Sequence, residues 1–398
     1  MRNETPKLFI KIDVKEILIV SGYIDEYDNF KILKNLAIPI EGIIDKKIVN
    51  LEKVTHLIKS NILLIEKENN FTFKDFILVL NNFDISFSNL TGYQKLNGTQ
   101  ISRENITYIL NSLKSYIDEF EFKKKIIHIF NTKFFLDKKK IDNLPVGLFG
   151  DFYSHELSFN LISKNDFKNL NNIFSNCNLQ IKKILLEGFV KTSLICNMFP
   201  EIDIFYYIQF KKNNCKISFI ENGSLKYEQT FEFGTDIIFQ DISKITSLNK
   251  DFIKEIIKEN PDIENLPEDE LVENKYFDNQ VYRKIKKKLF FDIAESRIQE
   301  LSDILCHKNI NFEKSKTNLN SIFLEINNNE RFQGLDKIIK KCFTRGQNIN
   351  VKIIEDFNIE KTLDNAFKIT QFGWQKEVIP VTEKSKSLIS RLFHRIFH

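Results

Sequence analysis

Glycine is scarce in this chain. Only 12 glycines occur in 398 residues, about 3% against the roughly 7% that is usual. Glycine lets a backbone approach a phosphate closely, because no Cβ stands in the way. A chain so poor in glycine has few positions at which a phosphate-binding loop can form.

Cysteine and histidine show no metal-binding, disulfide or catalytic pattern. The cysteines are widely spaced, odd in number and without a C-x-x-C pair: Cys177, Cys196, Cys215, Cys306 and Cys342. This argues against a zinc site or a disulfide framework, so we interpret them as buried or incidental thiols. Four histidines have no Ser or Cys motif beside them and are interpreted as structural: His56, His128, His155 and His307.

Long apolar runs are also missing. None reaches the ~18–20 residues that a membrane span needs, and the N-terminus has no signal-peptide pattern. Hydrophobic residues make up 42% and charged residues 28% of the chain, as in soluble globular proteins. We expect a cytoplasmic protein of more than one domain, whose membrane contact is peripheral.

Excess positive charge is concentrated at the C-terminal end. Lys and Arg exceed Asp and Glu by 58 − 54 = 4. Residues 384–398 contain four basic side chains and no acidic one: Lys384, Lys386, Arg391 and Arg395. The rest of the chain is neutral on balance, which argues against a nucleic-acid-binding surface and favours a local attraction to anionic lipid.

The same end carries a helical apolar pattern. Large apolar residues recur at positions that one helix face would collect: Leu388, Ile389, Leu392, Phe393, Ile396 and Phe397. Arg391 and Arg395 fall on the opposite face. The pattern predicts an amphipathic helix over residues 387–398 that lies in a membrane surface. The alternative is a terminal helix that docks on its own protein.

Strand and helix patterns follow a similar order in each half of the chain. In the first half, strands are predicted at 8–20, 30–33 and 76–80, with helices over 52–65 and after an N-cap at Ser102. In the second half, three strands at 204–210, 216–220 and 225–233 precede helices over 284–305 and 335–342, with a strand at 321–326. Residues 251–282 are interpreted as a loop-rich insertion and 374–385 as a linker. The repetition indicates a duplicated α/β architecture.

Five segments, in this order, resemble the FtsA family of bacterial actin-like division proteins. Residues 7–13 resemble the family's first strand, 37–53 the approach to its first helix, and 101–106 a helix start in its inserted subdomain. Residues 143–150 are similar to its Asn-Pro-(Val/Ile)-Gly signature, and the basic terminal helix completes the series. The resemblance covers almost the whole chain.

The resemblance implies an α/β, actin-like, two-lobed fold with a duplicated core of sheet and helices. The implied segments are a lobe 1 core (1–75 and 156–190, with a return of 345–373), an inserted subdomain (76–155), lobe 2 (191–344, including a partner-binding subdomain at 236–318), a linker (374–386) and the membrane helix (387–398).

The resemblance also implies a role in cell division. Such a protein assembles into filaments and anchors FtsZ filaments, the Z ring, to the inner face of the cytoplasmic membrane at the septum. It also helps to recruit other division proteins. Arg283, Arg297 and Glu300 fall on positions that the family uses to bind the FtsZ C-terminal peptide. The alternative for these three residues is a solvated basic helix face.

The sequence departs from the family where nucleotide would bind. The defining glycines and carboxylates of three motifs are replaced, at Asp13, Lys15, Glu16, Gln209, Lys211, Asn213 and Glu325. We therefore expect no hydrolysis of ATP, and weak or lost binding of ATP and Mg²⁺, although Lys15, Lys211 and Lys212 could attract a phosphate. No catalytic or metal-binding residue is predicted.

Two other functions stay open at this point. One is an actin-like adaptor of another envelope machine, such as the pilus-assembly relatives of FtsA. The other is an actin-fold ATPase or sugar-kinase-like enzyme, against which the altered phosphate motifs weigh heavily. The predicted inserted subdomain and the match around Arg297 favour division.

Overall fold

A computed structural model describes residues 5–13, 15–81, 83–260, 266–277, 280–311, 321–326, 333–345 and 349–378. The chain divides into two units. The first comprises Met1–Pro200, Glu221–Tyr227 and Phe357–His398, and the second comprises Glu201–Ile220 and Glu228–Asp356.

The first unit contains two main sheets and the helices beside them. Its elements are β1 (Lys7–Ile12), β2 (Glu16–Ile24), β3 (Phe30–Pro39), β4 (Ile43–Ile44), β5 (Lys47–Ile48), α1 (Leu51–Asn69), β6 (Asp75–Leu80), β7 (Ile85–Lys95), α2 (Arg103–Phe120), β8 (Lys124–Leu136), β9 (Lys139–Ile141), β10 (Phe152–Ser163), α3 (Lys164–Asn176), β11 (Gln180–Leu186) and α4 (Glu187–Met198).

The larger sheet of this unit has the order β11-β6-β1-β2-β3. β1 pairs antiparallel with β2 and parallel with β6, and β6 pairs parallel with β11. Strands β1 and β6 are almost continuously apolar and buried, as expected for strands that are covered on both faces. The predicted helix over 52–65 is confirmed as α1, whose buried stripe is Val54, Ile58, Ile62 and Ile65.

The smaller sheet, of order β7-β10-β8-β9, packs against α2. Ser102 caps α2 as predicted, because its hydroxyl accepts from the Asn105 N–H while the Asn105 side chain accepts from the Ser102 N–H. This sheet spans residues 85–163, whereas the inserted subdomain was predicted over 76–155. The difference arises because β6 pairs with β1, through register pairs such as Phe9↔Ile77, and so belongs to the larger sheet.

The second unit repeats the larger sheet. The elements of its sheet and the helices beside it are β12 (Ile204–Phe210), β13 (Cys215–Glu221), β14 (Ser224–Phe231), α5 (Asp236–Thr246), α6 (Lys250–Glu259), a 3₁₀ turn (Asn274–Phe277), α7 (Lys288–Ser302), a π turn (Asp303–His307), β15 (Ser321–Ile326), α8 (Gln333–Thr344) and β16 (Asn350–Glu355). The tip of the β13–β14 hairpin, Glu221–Tyr227, is counted with the first unit. The strand order is β16-β15-β12-β13-β14, with β12 parallel to β15 and β15 parallel to β16. Sheet order is therefore the same in both units, which confirms the predicted duplication.

Two predicted segments in the second unit differ from the structure. The segment 251–282 was interpreted as loop-rich, but its first part is α6, capped by Asn249 and buried through Ile253, Ile256 and Ile257. The helix predicted over 284–305 begins later, at Lys288, because the preceding residues run beside Glu270, whose carbonyl accepts from the Lys287 N–H.

The chain returns to the first unit later than predicted. The predicted return of 345–373 includes β16, but β16 pairs with β15 in the second unit, and the returning helix is α9 (Ile359–Phe372). Likewise residues 191–198, assigned by prediction to lobe 2, lie in α4 of the first unit.

Residues 374–378 differ from their prediction as a linker. Glu377 forms an antiparallel bridge with Phe130 of β8, and Val378 packs in an apolar cluster with Ile117 of α2. We call this segment, Trp374–Val378, the strap. The remainder of the predicted linker and the whole predicted membrane helix, Leu388 to Phe397 included, lie outside the described residues.

Candidate functional site

The two arginines predicted to contact a peptide both lie against α5. The Arg283 guanidinium donates to the backbone carbonyl of Thr246, the last residue of α5, over 2.8 Å. The Arg297 guanidinium, on α7, forms an ion pair with Asp241 in the middle of α5. Both arginines therefore contact the same helix, α5. The two residues of α5 that they contact are five positions apart (246 − 241 = 5).

The third predicted residue completes the Arg297 cluster. Glu300 lies one turn along α7 from Arg297, and the two side chains are 2.5 Å apart. Arg297 is held between two carboxylates, which orients its planar guanidinium. The Glu300 side chain is still 55% exposed, so a ligand that approaches this face meets a fixed cation and an accessible carboxylate.

Apolar side chains are exposed beside Arg283. Val281 is 85% exposed and Tyr282 41%, and Ile245, which precedes the carbonyl-bearing Thr246, is 60% exposed. A cation at the carboxyl end of a helix is also favourably placed with respect to the helix dipole. This end of α5 presents the combination that an amphipathic, acidic peptide requires.

The first altered phosphate-loop position lies in a buried ion-pair cluster of the first unit. The Lys11 ammonium is 2.9 Å from Asp13 and 2.8 Å from Glu187, and the Asn81 amide donates to Asp13 over 2.9 Å. Burial opposes the charged form of Lys11, yet Glu187 and Asp13 outweigh it and raise the pKa of the ammonium above its usual value. The Asp13 carboxylate is thus paired with this chain's own lysine, which it shares with Glu187.

Lys15 and Glu16 follow in a tight turn. The Asp13 N–H donates to the Glu16 carbonyl over 3.0 Å, and the Ile40 N–H donates to the Lys15 carbonyl over 3.0 Å. Lys15 is exposed. Two backbone bonds hold this turn, which carries a lysine at the position where the resemblance implies a glycine.

In the second unit, Gln209 and Glu325 are directly opposite on β12 and β15. Both are buried, and the Gln209 amide lies 3.3 Å from Glu325 Oε1. The Tyr207 hydroxyl, on the same face of β12, donates to the other Glu325 oxygen. Two of the predicted degenerate positions are therefore brought together, and they hydrogen-bond to each other.

The turn after β12 is closely packed on its own unit. Lys211 and Asn214 close it through a backbone bond of 3.0 Å, and the Thr235 N–H donates to the Lys211 carbonyl over 3.1 Å. A Cβ on Gly234 would come within 2.0 Å of that carbonyl, so this position requires glycine. Asn213, at the tip of the turn, is exposed.

A small apolar cavity lies at the carboxyl ends of β12 and β15. Phe210 and Ile326 end the two strands, and Phe343 of α8 approaches Phe210 with ring centroids 6.3 Å apart. The cavity volume is about 20 Å³. Mainly aliphatic and aromatic side chains line this cavity, which lies where the resemblance places the adenosine motif.

The strap carries a charged site that no sequence pattern indicates. Glu377 is buried, with its two oxygens 2.7 Å from His128 Nδ1 and 2.8 Å from the Lys183 ammonium. Burial favours the protonated carboxyl, but Lys183 and His128 prevail and lower the pKa of Glu377. Burial lowers the pKa of His128 despite its bond to Glu377. At neutral pH the site is therefore a carboxylate–ammonium pair with a neutral imidazole.

Backbone bonds fix the strap beside this site. The Asn131 N–H donates to the Lys376 carbonyl and the Val378 N–H to the Ile129 carbonyl, each over 2.7 Å. The Trp374 indole donates to the Gly223 carbonyl over 2.7 Å. No local pattern signals these contacts, since their partners are 151 to 249 residues away in sequence.

Over the described ranges, no cluster of three or more His, Cys, Asp or Glu side chains has the arrangement to hold a metal ion. In the same part of the chain, no helix combines the length and apolar character that are needed to cross a bilayer.

Comparison with known proteins gives one informative sequence match and a structural match. The chain is 19% identical over 375 residues to the cell division protein FtsA of Buchnera aphidicola, which covers 91% of this chain and 86% of that protein. No protein-family model matches. Among solved structures, the PilM–PilN type IV pilus biogenesis complex is similar, with a TM-score of 0.51 and 10% identity over 93% of this chain and 96% of that one. The chain therefore has an actin-like α/β fold of two lobes, as predicted.

Proposed function

We propose that this protein is an actin-like division adaptor that tethers FtsZ filaments to the cytoplasmic membrane at the division site. The observation that carries the proposal is the FtsA match over 91% of the chain in a sequence that ends in a basic amphipathic segment. Self-association would place many such segments on one filament, and avidity would then convert weak individual contacts into firm attachment.

The α5–α7 face is the proposed site for the FtsZ C-terminal peptide. Arg283 supplies a cation at the end of α5, and Arg297 supplies a guanidinium that Asp241 and Glu300 hold in place. Ile245, Val281 and Tyr282 supply exposed apolar surface. Arg forks suit carboxylate-bearing peptides.

A peptide-binding experiment tests this site. Immobilised FtsZ C-terminal peptide should retain the full chain, and Arg283→Ala should weaken retention about tenfold or more. Lys308→Ala is the matched control, because Lys308 is 74% exposed and lies outside this face. Retention that is unaffected by Arg283→Ala would reject the site, and no retention of wild type would reject FtsZ as the partner.

A vesicle experiment tests the tether. Phe393→Glu with Phe397→Glu should abolish co-sedimentation with anionic vesicles, because each change places a charge on the predicted apolar face. Phe149→Glu is the control, since Phe149 is already 70% exposed in a loop. Equal sedimentation of wild type and the double variant would contradict membrane anchoring by this segment.

A pilus-type adaptor is the second candidate, because the PilM–PilN structure has the same fold over 93% of the chain. The peptide experiment separates the two candidates. A fluorescent fusion that forms a mid-cell band dependent on residues 387–398 would support division, and an even distribution along the envelope would favour the second candidate.

We further propose that the protein does not hydrolyse ATP and binds it weakly or not at all. In the first unit, Asp13 pairs with Lys11, and in the second unit Gln209 and Glu325 bond to each other. The small cavity beyond them is apolar. These contacts support a fold whose nucleotide chemistry has been replaced by internal packing.

A further inference from the structure

The turn between α2 and β8 exposes an unusual group of side chains. Phe120 and Phe122 are 62% and 61% exposed. The Lys123 ammonium lies 5.7 Å from the centroid of the Phe122 ring, and Lys124 pairs with Glu121 over 2.9 Å. We call Phe120, Phe122, Lys123 and Lys124 the α2–β8 corner. Two large aromatic groups in water, flanked by lysines, are characteristic of an interaction surface.

Neighbouring elements give the corner a mixed charge. The Tyr116 ring contacts the Phe120 ring, with centroids 4.2 Å apart and planes tilted by 30°. The Lys164 N–H at the start of α3 donates to the Lys123 carbonyl over 2.8 Å. Asp118 and Glu119 lie on the last turn of α2 and are exposed. Because acidic and basic groups are both present, apolar contact must contribute more than charge to any binding here.

The strap runs along β8 toward this corner. Lys376 bonds to Asn131 and Val378 to Ile129, so the strap runs antiparallel to β8 and toward its first residue, Lys124. From Ile129 to Lys124 the strand covers about 17 Å. Leu388 is 388 − 378 = 10 residues beyond Val378, a reach of up to ~35 Å. The predicted membrane segment and the corner therefore lie within reach of each other.

We propose that the α2–β8 corner is a second membrane contact, which enters the headgroup region of an anionic bilayer beside the C-terminal segment. This inference rests on the proposed tether. The aromatic rings of Phe120 and Phe122 enter the interface, while Lys123 and Lys124 keep their ammonium groups at the level of the lipid phosphates. Two separate contacts fix the orientation of the small sheet on the membrane, which a single point of attachment cannot do.

The test compares binding of full-length variants to vesicles of phosphatidylcholine and phosphatidylserine. Phe120→Ser with Phe122→Ser should weaken apparent partitioning about tenfold. Leu148→Ser with Phe149→Ser is the matched control and should bind as wild type. Leu148 and Phe149 are 48% and 70% exposed. The neighbouring Gly150 lies against Leu136, the last residue of β8, so the control is at the other end of this strand.

Amide hydrogen exchange provides a second readout. Vesicles should slow exchange over residues 118–125 in wild type and leave residues 146–150 unchanged. Equal vesicle binding by wild type and the Phe120/Phe122 variant, with no change in exchange, would overturn the proposal. Tighter binding by that variant would also overturn it, since the corner would then cover the C-terminal segment in solution.

The failure of the corner can be distinguished from the failure of the tether. If Phe393→Glu with Phe397→Glu abolishes binding and Phe120→Ser with Phe122→Ser does not change it, only the corner is rejected. If wild type binds no vesicles at all, both are rejected. Retained unfolding temperatures in both serine variants would show that the exposed substitutions leave the fold intact.

Discussion

At the scale of single residues, burial alone keeps the imidazole of His155 uncharged. His155 is 1% exposed, and its Nε2 lies 2.8 Å from Asn131 Oδ1; we assign the proton to Nε2, which donates. Burial lowers the pKa of this imidazole to about 3, from a usual value of 6.5. The ring is therefore neutral in the folded protein at every pH above about 3.

This depressed pKa makes His155 a source of acid instability. Below pH 6.5 the unfolded protein takes up a proton at this residue and the folded protein does not. The free energy of unfolding therefore falls by ~1.4 kcal/mol per pH unit from pH 6.5 down to about 3. We predict that the free energy of unfolding of wild type decreases more than that of His155→Phe when the pH falls from 7 to 5. The difference between the two decreases should be roughly 2 kcal/mol.

Urea unfolding at pH 7 and pH 5 measures this difference. The Phe variant leaves Asn131 without its partner and is expected to be less stable at both pH values, so the comparison is of pH dependence. His56→Gln is the control, because His56 is exposed on α1. The same loss between the two pH values in His155→Phe and wild type would contradict the assignment.

At the scale of elements, local signals were predictable and distant contacts were not. The cap at Ser102 and the three strands of 204–233 follow from nearby residues, so sequence alone located them. The start of α6 carried a local signal as well, in Asn249 and the spacing of Ile253, Ile256 and Ile257, but its polar surroundings indicated a loop. By contrast, the sheet membership of β6 depends on β1 and β11, which are far away in sequence.

The strap is the clearest case of structure without a local pattern. Its five residues are aperiodic and precede Pro380, which is typical of a linker, yet Glu377 is buried with Lys183 and His128. A buried carboxylate is stable only where such partners exist, and those partners are on β11 and β8. The interpretation of His128 as structural did come from the sequence, but its role in holding the strap did not.

Removal of the Glu377 carboxylate should release the strap. Glu377→Ala leaves the Lys183 ammonium buried without this counter-ion. Loss of one partner of a buried ion pair typically lowers the free energy of unfolding by about 3–5 kcal/mol. We predict faster proteolysis within residues 374–378 and faster amide exchange at Asn131 and Val378, whose N–H groups form the strap bonds. Gln375→Ala, at an exposed position of the same segment, should behave as wild type. Equal proteolysis of the two variants would contradict a role of Glu377 in holding the strap.

At the scale of the whole molecule, the fold could be predicted more fully than the function. The repeated order of strands, visible in the sequence as two strand triplets, appears in the structure as two sheets of identical order. The contacts of the candidate site are harder to predict, because Gln209 and Glu325 meet only when β12 and β15 place them opposite each other. Each residue falls at an altered position of a different motif, and 116 residues separate them.

The contacts at the altered nucleotide positions predict that Mg-ATP does not stabilise the protein. A ligand present at 100 times its dissociation constant stabilises a protein by ~2.7 kcal/mol, so tight binding of Mg-ATP would raise the unfolding temperature by several degrees. We predict no shift at 1 mM Mg-ATP. Lys15→Gly should not restore one, because Asp13 remains paired with Lys11 and the Gln209–Glu325 contact persists in the second unit. Low-micromolar affinity in calorimetry would contradict the prediction, and assembly on vesicles that is equal with and without nucleotide would support a filament controlled by membrane attachment alone.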